Sequence, residues 1–179
     1  DIRKYYYNIN HNILRNFISK IIKDERIVNL IMLFVDTAKG IGLFVGNVLS
    51  QLFGLIYLSS LDHFIKRFLK IRHYIRYVDD FVLVGLEKSE AHILKSKIES
   101  FLKDNLNLEL SKFRIAKIKE GCNFVGFRTW KRVKFIRKHT LHNFSKAVKL
   151  QKEASIISIL GHAKHSSSHK YLISKIGAA

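Results

Sequence analysis

Two adjacent carboxylates, Asp79 and Asp80, lie between two short runs of residues that favour β-structure. Residues 74–78 precede the pair and residues 81–84 follow it, a pattern that predicts a β-hairpin with an acidic turn. Like charges this close oppose each other's ionisation, and a divalent cation removes that cost. Carboxylate oxygens are ligands that Mg²⁺ prefers. The pair therefore predicts a metal centre, and the alternative is a solvated turn.

A two-metal centre would need one further carboxylate from another strand. Two Mg²⁺ ions roughly 3.5–4 Å apart can activate an attacking 3′-oxygen and stabilise a leaving pyrophosphate, and Mn²⁺ can replace them. Asp1 is the candidate, because residues 1–7 predict the end of a strand and are distant in sequence from the acidic pair. The expected chemistry is nucleotidyl transfer.

The net charge points to a polyanionic partner. Thirty-two Lys and Arg residues face fourteen Asp and Glu residues, which gives a formal charge of +18. Such a charge attracts nucleic acid first and an anionic membrane surface second, although a biased genome composition also enriches lysine. No acidic residue occurs from residue 121 to residue 152, where nine cations cluster. They are Arg128, Lys131, Arg132, Lys134, Arg137, Lys138, Lys146, Lys149 and Lys152.

Contacts from such a cluster neutralise phosphates without reading sequence, so binding should weaken steeply with salt. Trp130, Phe135 and His139 lie within the same stretch and could stack on bases, or the first two could belong to a core. The basic stretch is therefore the predicted nucleic-acid-binding region.

Hydrophobic periodicity and turn residues predict an α+β chain, with an antiparallel sheet backed by helices and followed by a basic helical segment. The first predicted elements are a helix over 11–23 capped by Asn10, a glycine-rich loop at 40–46 and a helix over 47–69. The hairpin at 72–86 and a helix from a Ser89 cap to residue 104 follow. Short strands are predicted within 106–136, and helices from 139 onwards. The boundary between two domains is expected after residue 130.

Residues 41–58 carry no charge, a pattern that also occurs in membrane spans. They contain three glycines and fall short of the roughly 20 apolar residues that a span needs, so they predict a loop that leads into a buried helix and no membrane partner. The single cysteine, Cys122, excludes an internal disulfide and fits a cytoplasmic protein.

Four sequence blocks resemble those of reverse transcriptases, in the same order. Tyr-Val-Asp-Asp at 77–80 is similar to the Tyr-x-Asp-Asp box, and residues 1–11 resemble the first catalytic block. Residues 45–51, Val-Gly-Asn-Val-Leu-Ser-Gln, resemble the nucleotide-binding block, and residues 121–127 the primer grip. The resemblance implies an RNA-directed DNA polymerase, with a palm over residues 1–130 and a thumb-like region over 131–179. The fingers that precede the first block in this family are missing.

The nucleotide-binding block indicates a subfamily. Many bacterial relatives have Gln and Pro where this chain has Val45 and Gln51, a variant similar to reverse transcriptases of diversity-generating retroelements. Residues 161–168 also resemble the tail of that group. The alternatives are a group II intron, retron or phage-defence reverse transcriptase, and, in another class, a non-catalytic RNA-binding remnant. The family implies a bacterial or phage-encoded, cytoplasmic protein.

The resemblance also implies roles for individual residues. Tyr6 takes the place of an aromatic gate against a ribose 2′-OH, or packs in the core, and Lys112 takes that of a lysine that protonates pyrophosphate, or is a surface lysine. The implied sites are catalytic Asp1, Asp79, Asp80 and Lys112; metal-binding Asp1, the Ile2 carbonyl, Asp79 and Asp80; nucleotide-binding Tyr6, Val45, Gly46 and Gln51; primer-grip Val125, Gly126 and Phe127; and nucleic-acid-binding Arg128, Lys131, Arg132, Lys134, Arg137 and Lys138.

The implied partners are an RNA template, a DNA or RNA primer, dNTPs and an accessory protein. Residues 1–179 alone are expected to be a poor enzyme, because the family's fingers supply basic residues for the triphosphate. A free amino group at Asp1 would also disturb the adjacent metals. Upstream sequence should restore activity.

Overall fold

The computed structural model describes residues 1–36 and 40–176. Its helices and strands are α1 (His11–Ile21), α2 (Glu25–Val35), α3 (Val48–His63), β1 (His73–Tyr77), β2 (Asp80–Val84), α4 (Lys88–Leu106), β3 (Cys122–Phe124), β4 (Phe127–Thr129), β5 (Lys134–Ile136), α5 (Lys138–Lys149), α6 (Glu153–Ala163) and α7 (His169–Ile176). Short 3₁₀ helices cover Tyr5–Asn8 and Ile118–Glu120, and a π-helix covers Phe64–Phe68. Helices and two small antiparallel sheets confirm the predicted α+β class.

The chain divides into two compact units, Asp1–Ile115 and Ala116–Ala179. The first holds α1 to α4 and the β1–β2 hairpin, and the second holds β3 to β5 and α5 to α7. The boundary expected after residue 130 falls between β4 and β5, which pair with each other. A division there would split a sheet, whereas a division at 115 leaves it whole.

The first two helices begin at polar caps. The Asn10 side chain accepts a hydrogen bond from the Ile13 amide at 3.2 Å, which starts α1 where the sequence predicts a helix. Leu14 and Ile18 on its inner face are buried. Asp24 caps α2 by accepting from the Arg26 amide at 2.9 Å. Helix α2 was not predicted, although its buried residues Val28, Met32 and Val35 recur at helical spacing. Further apolar residues on its outer side, among them Leu30 and Leu33, make this stripe less distinct in the sequence.

Helix α3 is the centre of the first unit. Asn47 caps it by accepting from the Leu49 amide at 2.9 Å, and Tyr57, Leu58 and Leu61 are completely buried. The Tyr57 hydroxyl donates to the Leu106 carbonyl at 2.7 Å and accepts from the Asn10 amide at 3.3 Å. One buried oxygen thereby joins the start of α1, the middle of α3 and the end of α4.

Among the described residues, one helical stretch, Val48–Phe68, is long and apolar enough to cross a membrane by length and composition. The core helix of a globular protein passes the same test, and the buried face of α3 belongs to the core of the first unit. The stretch is therefore weak support for a membrane span.

Two local expectations are wrong. Residues 1–7 do not form a strand: Ile2 makes an isolated bridge with Leu110, and Lys4 then adopts a φ of 44° that turns the chain into a 3₁₀ helix. Helix α4 begins at Lys88 after Glu87, so Ser89 is not its cap. The left-handed Lys4 ends the extended segment, and the start of α4 differs from the predicted one by an amount that is common at helix ends.

The second unit has a core of its own. Strands β3, β4 and β5 form an antiparallel meander, and Ile136 packs with Phe144, Ala163 and Leu172 from the three helices. The buried Ser168 hydroxyl accepts from the Ile136 amide at 3.1 Å. A polar group between α6 and α7 is thus satisfied by the sheet.

Candidate active site

The acidic pair lies at the tip of the β1–β2 hairpin, as the sequence predicts. Tyr77 pairs with Asp80, so Val78 and Asp79 form a two-residue loop. Val78 has a φ of 55°, in the left-handed region that a β-branched residue rarely adopts. Conformations of this kind cost of order 1–3 kcal/mol and persist only where the surroundings enforce them.

Arg76 supplies one enforcing contact. Its side chain is only 10% exposed, and its Nη1 donates to the Val78 carbonyl at 2.8 Å. Its Nε donates to Asp62 Oδ1 at 2.7 Å, and its Nη2 donates to Asp62 Oδ2. A bidentate pair of this type fixes both partners in one geometry. The first residue of the turn is therefore tied to α3, which carries Asp62.

Tyr74 lies on the same face of β1 as Arg76 and also binds Asp62. Its hydroxyl donates to Asp62 Oδ1 at 2.7 Å. Burial and then this bond to Asp62 raise the pKa of the Tyr74 hydroxyl. The hydrogen-bonded Asp62 carboxylate likewise raises the pKa of the Arg76 guanidinium. Tyr74 is neutral and Arg76 is charged at neutral pH even without these shifts, and both shifts extend those protonation states to higher pH.

Asp1 is held beside an outer segment by backbone bonds. The Asp1 carbonyl accepts from the Ser111 amide at 2.9 Å, and the Arg3 amide donates to the Glu109 carbonyl at 2.8 Å. The negative charges of Asp80 and Asp79 act on the backbone nitrogen of Asp1. The structure thus brings the start of the chain within electrostatic range of the acidic turn.

The donor set has the chemistry of a site for a hard cation, with carboxylates from Asp1, Asp79 and Asp80 and the Ile2 carbonyl. Within residues 1–36 and 40–176, however, no three His, Cys, Asp or Glu side chains come together closely enough to hold a metal ion. The carboxylate types fit Mg²⁺, and their side chains are not gathered into one cage.

An open cleft of about 800 Å³ lies beside the turn. The four residues assigned to nucleotide binding from the resemblance, Tyr6, Val45, Gly46 and Gln51, all line it. The rest of its lining is Phe44, Asn47, Ser50, Leu55, Asp62, Lys66, Tyr74, Arg76, Tyr77 and Val78. The cleft therefore has the start of α3 and its preceding loop on one side, and the acidic hairpin on the other.

Tyr6 is half-buried against α3 rather than enclosed in the core. A Cβ atom placed on Gly54 would lie 3.0 Å from Tyr6 Cε1 and 3.3 Å from Tyr5 Cε1, so the glycine leaves room for both rings. The Tyr5 hydroxyl donates to the Gly54 carbonyl. Burial raises the pKa of the Tyr6 hydroxyl, and the charge of Asp79 adds to the rise. Tyr6 thus occupies the cleft wall near the acidic turn.

The loop before α3 is anchored by a buried histidine. His11 Nε2 lies 2.7 Å from the Gly42 carbonyl oxygen, and its Nδ1 lies 2.8 Å from Asp36 Oδ1. Gly42 has a φ of 89°, and a Cβ there would lie 3.0 Å from the Tyr7 carbonyl oxygen. These contacts fix the backbone shortly before the cleft residues Val45 and Gly46.

Lys112 is exposed, directly after Ser111, which pairs with Asp1. The backbone of Lys112 therefore lies near Asp1. Lys112 does not line the cleft.

The residues assigned to the primer grip form another hairpin turn, in the second unit. Phe124 pairs with Phe127, so Val125 and Gly126 make a two-residue loop, with φ of 45° and 81°. Positive φ at both positions is the mark of a type I′ turn. The His162 ring stacks on Phe127 at a centroid distance of 4.4 Å, and a Cβ on Gly126 would lie 2.9 Å from His162 Nε2.

The predicted nucleic-acid-binding cations of the second unit are exposed or half-buried. Arg128 donates through Nε and Nη2 to the Glu120 carbonyl and lies 5.3 Å from the Trp130 ring centroid. A Cβ on Gly121 would meet the Trp130 ring at 2.6 Å, so this ring packs against the backbone. Phe135 is 40% exposed, and of the two aromatic residues it has the more open surface.

Sequence reasoning missed Arg76, Asp62, Gly54 and His162. A signal for Arg76 was present: strand residues two apart share a face, which puts Arg76 beside Tyr74 on the inner face, while Ile75 points outward and is 58% exposed. Asp62 stood out as a lone acidic residue in an apolar helix. Nothing in the sequence pairs Gly126 with His162.

No protein-family model matches this chain, and no curated protein matches it significantly.

Proposed function

We propose that the chain is part of an RNA-directed DNA polymerase that copies an RNA template into cDNA. The observation that carries the proposal is the acidic hairpin turn beside a cleft lined by all four residues that the resemblance assigns to nucleotide binding. In this proposal the first unit is a polymerase palm, and the helices of the second unit act as a thumb.

Asp79 and Asp80, with Asp1 and the Ile2 carbonyl, would hold Mg²⁺ or Mn²⁺, which supplies activation of the 3′-hydroxyl and charge stabilisation of the pyrophosphate. Val45, Gly46 and Gln51 contact the incoming dNTP from the α3 side of the cleft. Tyr6 excludes a ribose 2′-OH through its bulk, and Lys112 donates a proton to the leaving pyrophosphate.

The second unit supplies non-specific affinity for template and primer. It carries fourteen Lys and Arg residues against two acidic residues, a net charge of +12 in 64 residues. Cations at this density bind phosphates with a strong dependence on salt. Val125, Gly126 and Phe127 position the primer end. We assign the polymerase to a diversity-generating retroelement, with an accessory protein, in the cytoplasm of a bacterium or of a phage-infected cell.

Primer extension on an RNA template tests the proposal, with the longest product that the gene encodes, dNTPs and Mg²⁺ or Mn²⁺. We expect extension by the parent and its loss to background in Asp79→Asn, because the variant keeps the turn but weakens a carboxylate ligand. Asp104→Asn is the matched control, since Asp104 is exposed on α4. No extension by the parent, or equal extension by Asp79→Asn, would contradict the proposal.

Sequencing the same products tests the subfamily. Errors concentrated at template adenines would support a retroelement that diversifies its target, and faithful copying would favour a group II intron, retron or phage-defence enzyme.

A non-catalytic RNA-binding protein is the second candidate, favoured by the basic second unit and by the absence of a three-carboxylate group among the described residues. It would bind RNA with the same dependence on salt but would bind no Mn²⁺ at Asp79. Electron paramagnetic resonance of added Mn²⁺, with the parent and Asp79→Asn, separates the two.

A further inference from the structure

Arg76 differs from most cations of this chain in its burial. Its side chain is 10% exposed and points inward from β1, whereas its neighbour Arg72 is exposed. Burying a guanidinium is costly unless its donors find well-placed acceptors. An arginine at this position is therefore stable only if the acceptors around it compensate for the loss of its hydration.

The acceptors around Arg76 come from two elements. Nε and Nη2 form a fork on the two oxygens of Asp62 in α3, and Nη1 donates to the Val78 carbonyl at 2.8 Å. A single planar group thus joins a helix to the first residue of the acidic turn. Asp62 is held in turn by the Tyr74 hydroxyl at 2.7 Å, so the anchor is itself fixed.

The Val78 carbonyl is the atom through which this contact reaches the acidic pair. The planar peptide group that contains it also contains the amide nitrogen of Asp79. Fixing the carbonyl therefore fixes the orientation in which the Asp79 backbone leaves the turn. Val78 resists its φ of 55° by itself, so release of the carbonyl would let the turn relax.

We propose that Arg76 is a positioning residue, which orients Asp79 by clamping the Val78 carbonyl to Asp62. The inference rests on the proposed function, since it assigns a catalytic purpose to the geometry of the turn. Helix α3 also carries Ser50 and Gln51, which line the cleft. The clamp thereby ties the acidic turn to the same helix that contacts the nucleotide, and keeps the distance between them constant.

Lysine cannot replace arginine in this role. Its single ammonium group has no planar fork to reach both Asp62 oxygens and the Val78 carbonyl in one plane. Arg76→Lys thus preserves the positive charge and removes the geometry. Asp62→Asn is the complementary change, because it removes the charge of the anchor and keeps its shape.

The test is steady-state primer extension by the longest gene product with Arg76→Lys, Asp62→Asn and both changes together. We expect kcat to fall by about 10- to 100-fold in each, the range expected when reacting groups are misplaced by about 1 Å, with KM for dNTP within about twofold of the parent. The double variant should be no slower than the worse single variant, since both changes break one interaction. Arg72→Lys is the control and should keep the parental kcat.

Amide hydrogen–deuterium exchange over residues 76–81 supplies a readout that does not depend on activity. Exchange should be faster in Arg76→Lys and unchanged in Arg72→Lys. An active parent whose Arg76→Lys variant keeps its kcat would overturn the clamp and leave the polymerase standing. An inactive parent with faster exchange in Arg76→Lys would remove the polymerase and, with it, the catalytic purpose of the clamp.

Discussion

Two hairpin turns, one in each unit, have the same residue type at their first position and different residue types at their second. Val78 and Asp79 join β1 to β2, and Val125 and Gly126 join β3 to β4, each as a two-residue loop whose valine has a positive φ. In the second turn glycine follows and also adopts a positive φ, as a type I′ turn requires. In the first turn aspartate follows, and it is absent from the positive-φ residues of the described chain.

The difference lies in what holds each turn in place. A partly buried ion pair between Arg76 and Asp62 fixes the first turn, and the stacking of His162 on Phe127 covers the second. Because only Val78 has a positive φ in the first turn, a glycine at that first position would have been the simpler choice. The chain instead keeps a β-branched valine there, followed by two carboxylates, and adds a charged clamp. Such a departure from local preference is typical of a functional site.

Making the first turn resemble the second should have the largest effect. Asp79→Gly creates a Val-Gly loop, and we expect the free energy of unfolding to fall by at most about 1 kcal/mol, because glycine adds backbone entropy to the unfolded chain at a position with no positive φ. Under the proposed function, polymerisation should fall by roughly 10²-fold or more, since the loss of a metal ligand would remove several kcal/mol of transition-state stabilisation. Thermal unfolding and primer extension on the same sample give the two answers. Activity close to that of the parent would show that the carboxylate is not needed.

Breaking the second turn should have an intermediate effect. Gly126→Ala places a Cβ 2.9 Å from His162 Nε2 at a φ of 81°, so the unit should lose about 1–3 kcal/mol of its free energy of unfolding. Chemical denaturation monitored by Trp130 fluorescence measures the loss. Gly161→Ala is the matched control: it lies in α6, meets nothing within 4 Å, and should be neutral or gain about 0.5–1 kcal/mol. Equal stability of the two variants would contradict the packing argument.

Relieving the feature that the turns share should have the smallest effect. Val125→Asn puts a residue that tolerates positive φ at the first turn position and creates an Asn-Gly loop, so the free energy of unfolding should rise by about 1 kcal/mol. Val78→Asn should gain less, because Asp79 and not glycine follows it, so the favoured Asn-Gly pair is not completed. Paired melting curves measure both gains, and no gain in either variant would contradict the backbone cost assigned to the two valines.

The elements that short-range chemistry decides were predictable. Asn10 caps α1 and Asn47 caps α3, close to where the sequence predicted those helices to begin. The acidic hairpin lies where the two β-favouring runs around Asp79 and Asp80 predicted it. Contacts between distant residues were not predictable. The pairing of Ile2 with Leu110 spans more than a hundred residues, and no local pattern records it.

Some residues of the candidate site were likewise predictable from the sequence, and others were not. Sequence motifs predict the cleft residues and the acidic pair, whereas nothing in the sequence pairs Arg76 with Asp62, fourteen residues away. The boundary between units was missed for a related reason. β3 and β4 look like an extension of the preceding segment, and only their pairing with β5 assigns them to the second unit.

The bond between the Asp1 carbonyl and the Ser111 amide sets an order of events during synthesis. The segment that anchors the Asp1 backbone follows Asp80 by some thirty residues, so it is synthesised after both strands of the acidic hairpin. The bond to Ser111 can therefore hold Asp1 only once residue 111 has emerged from the ribosome.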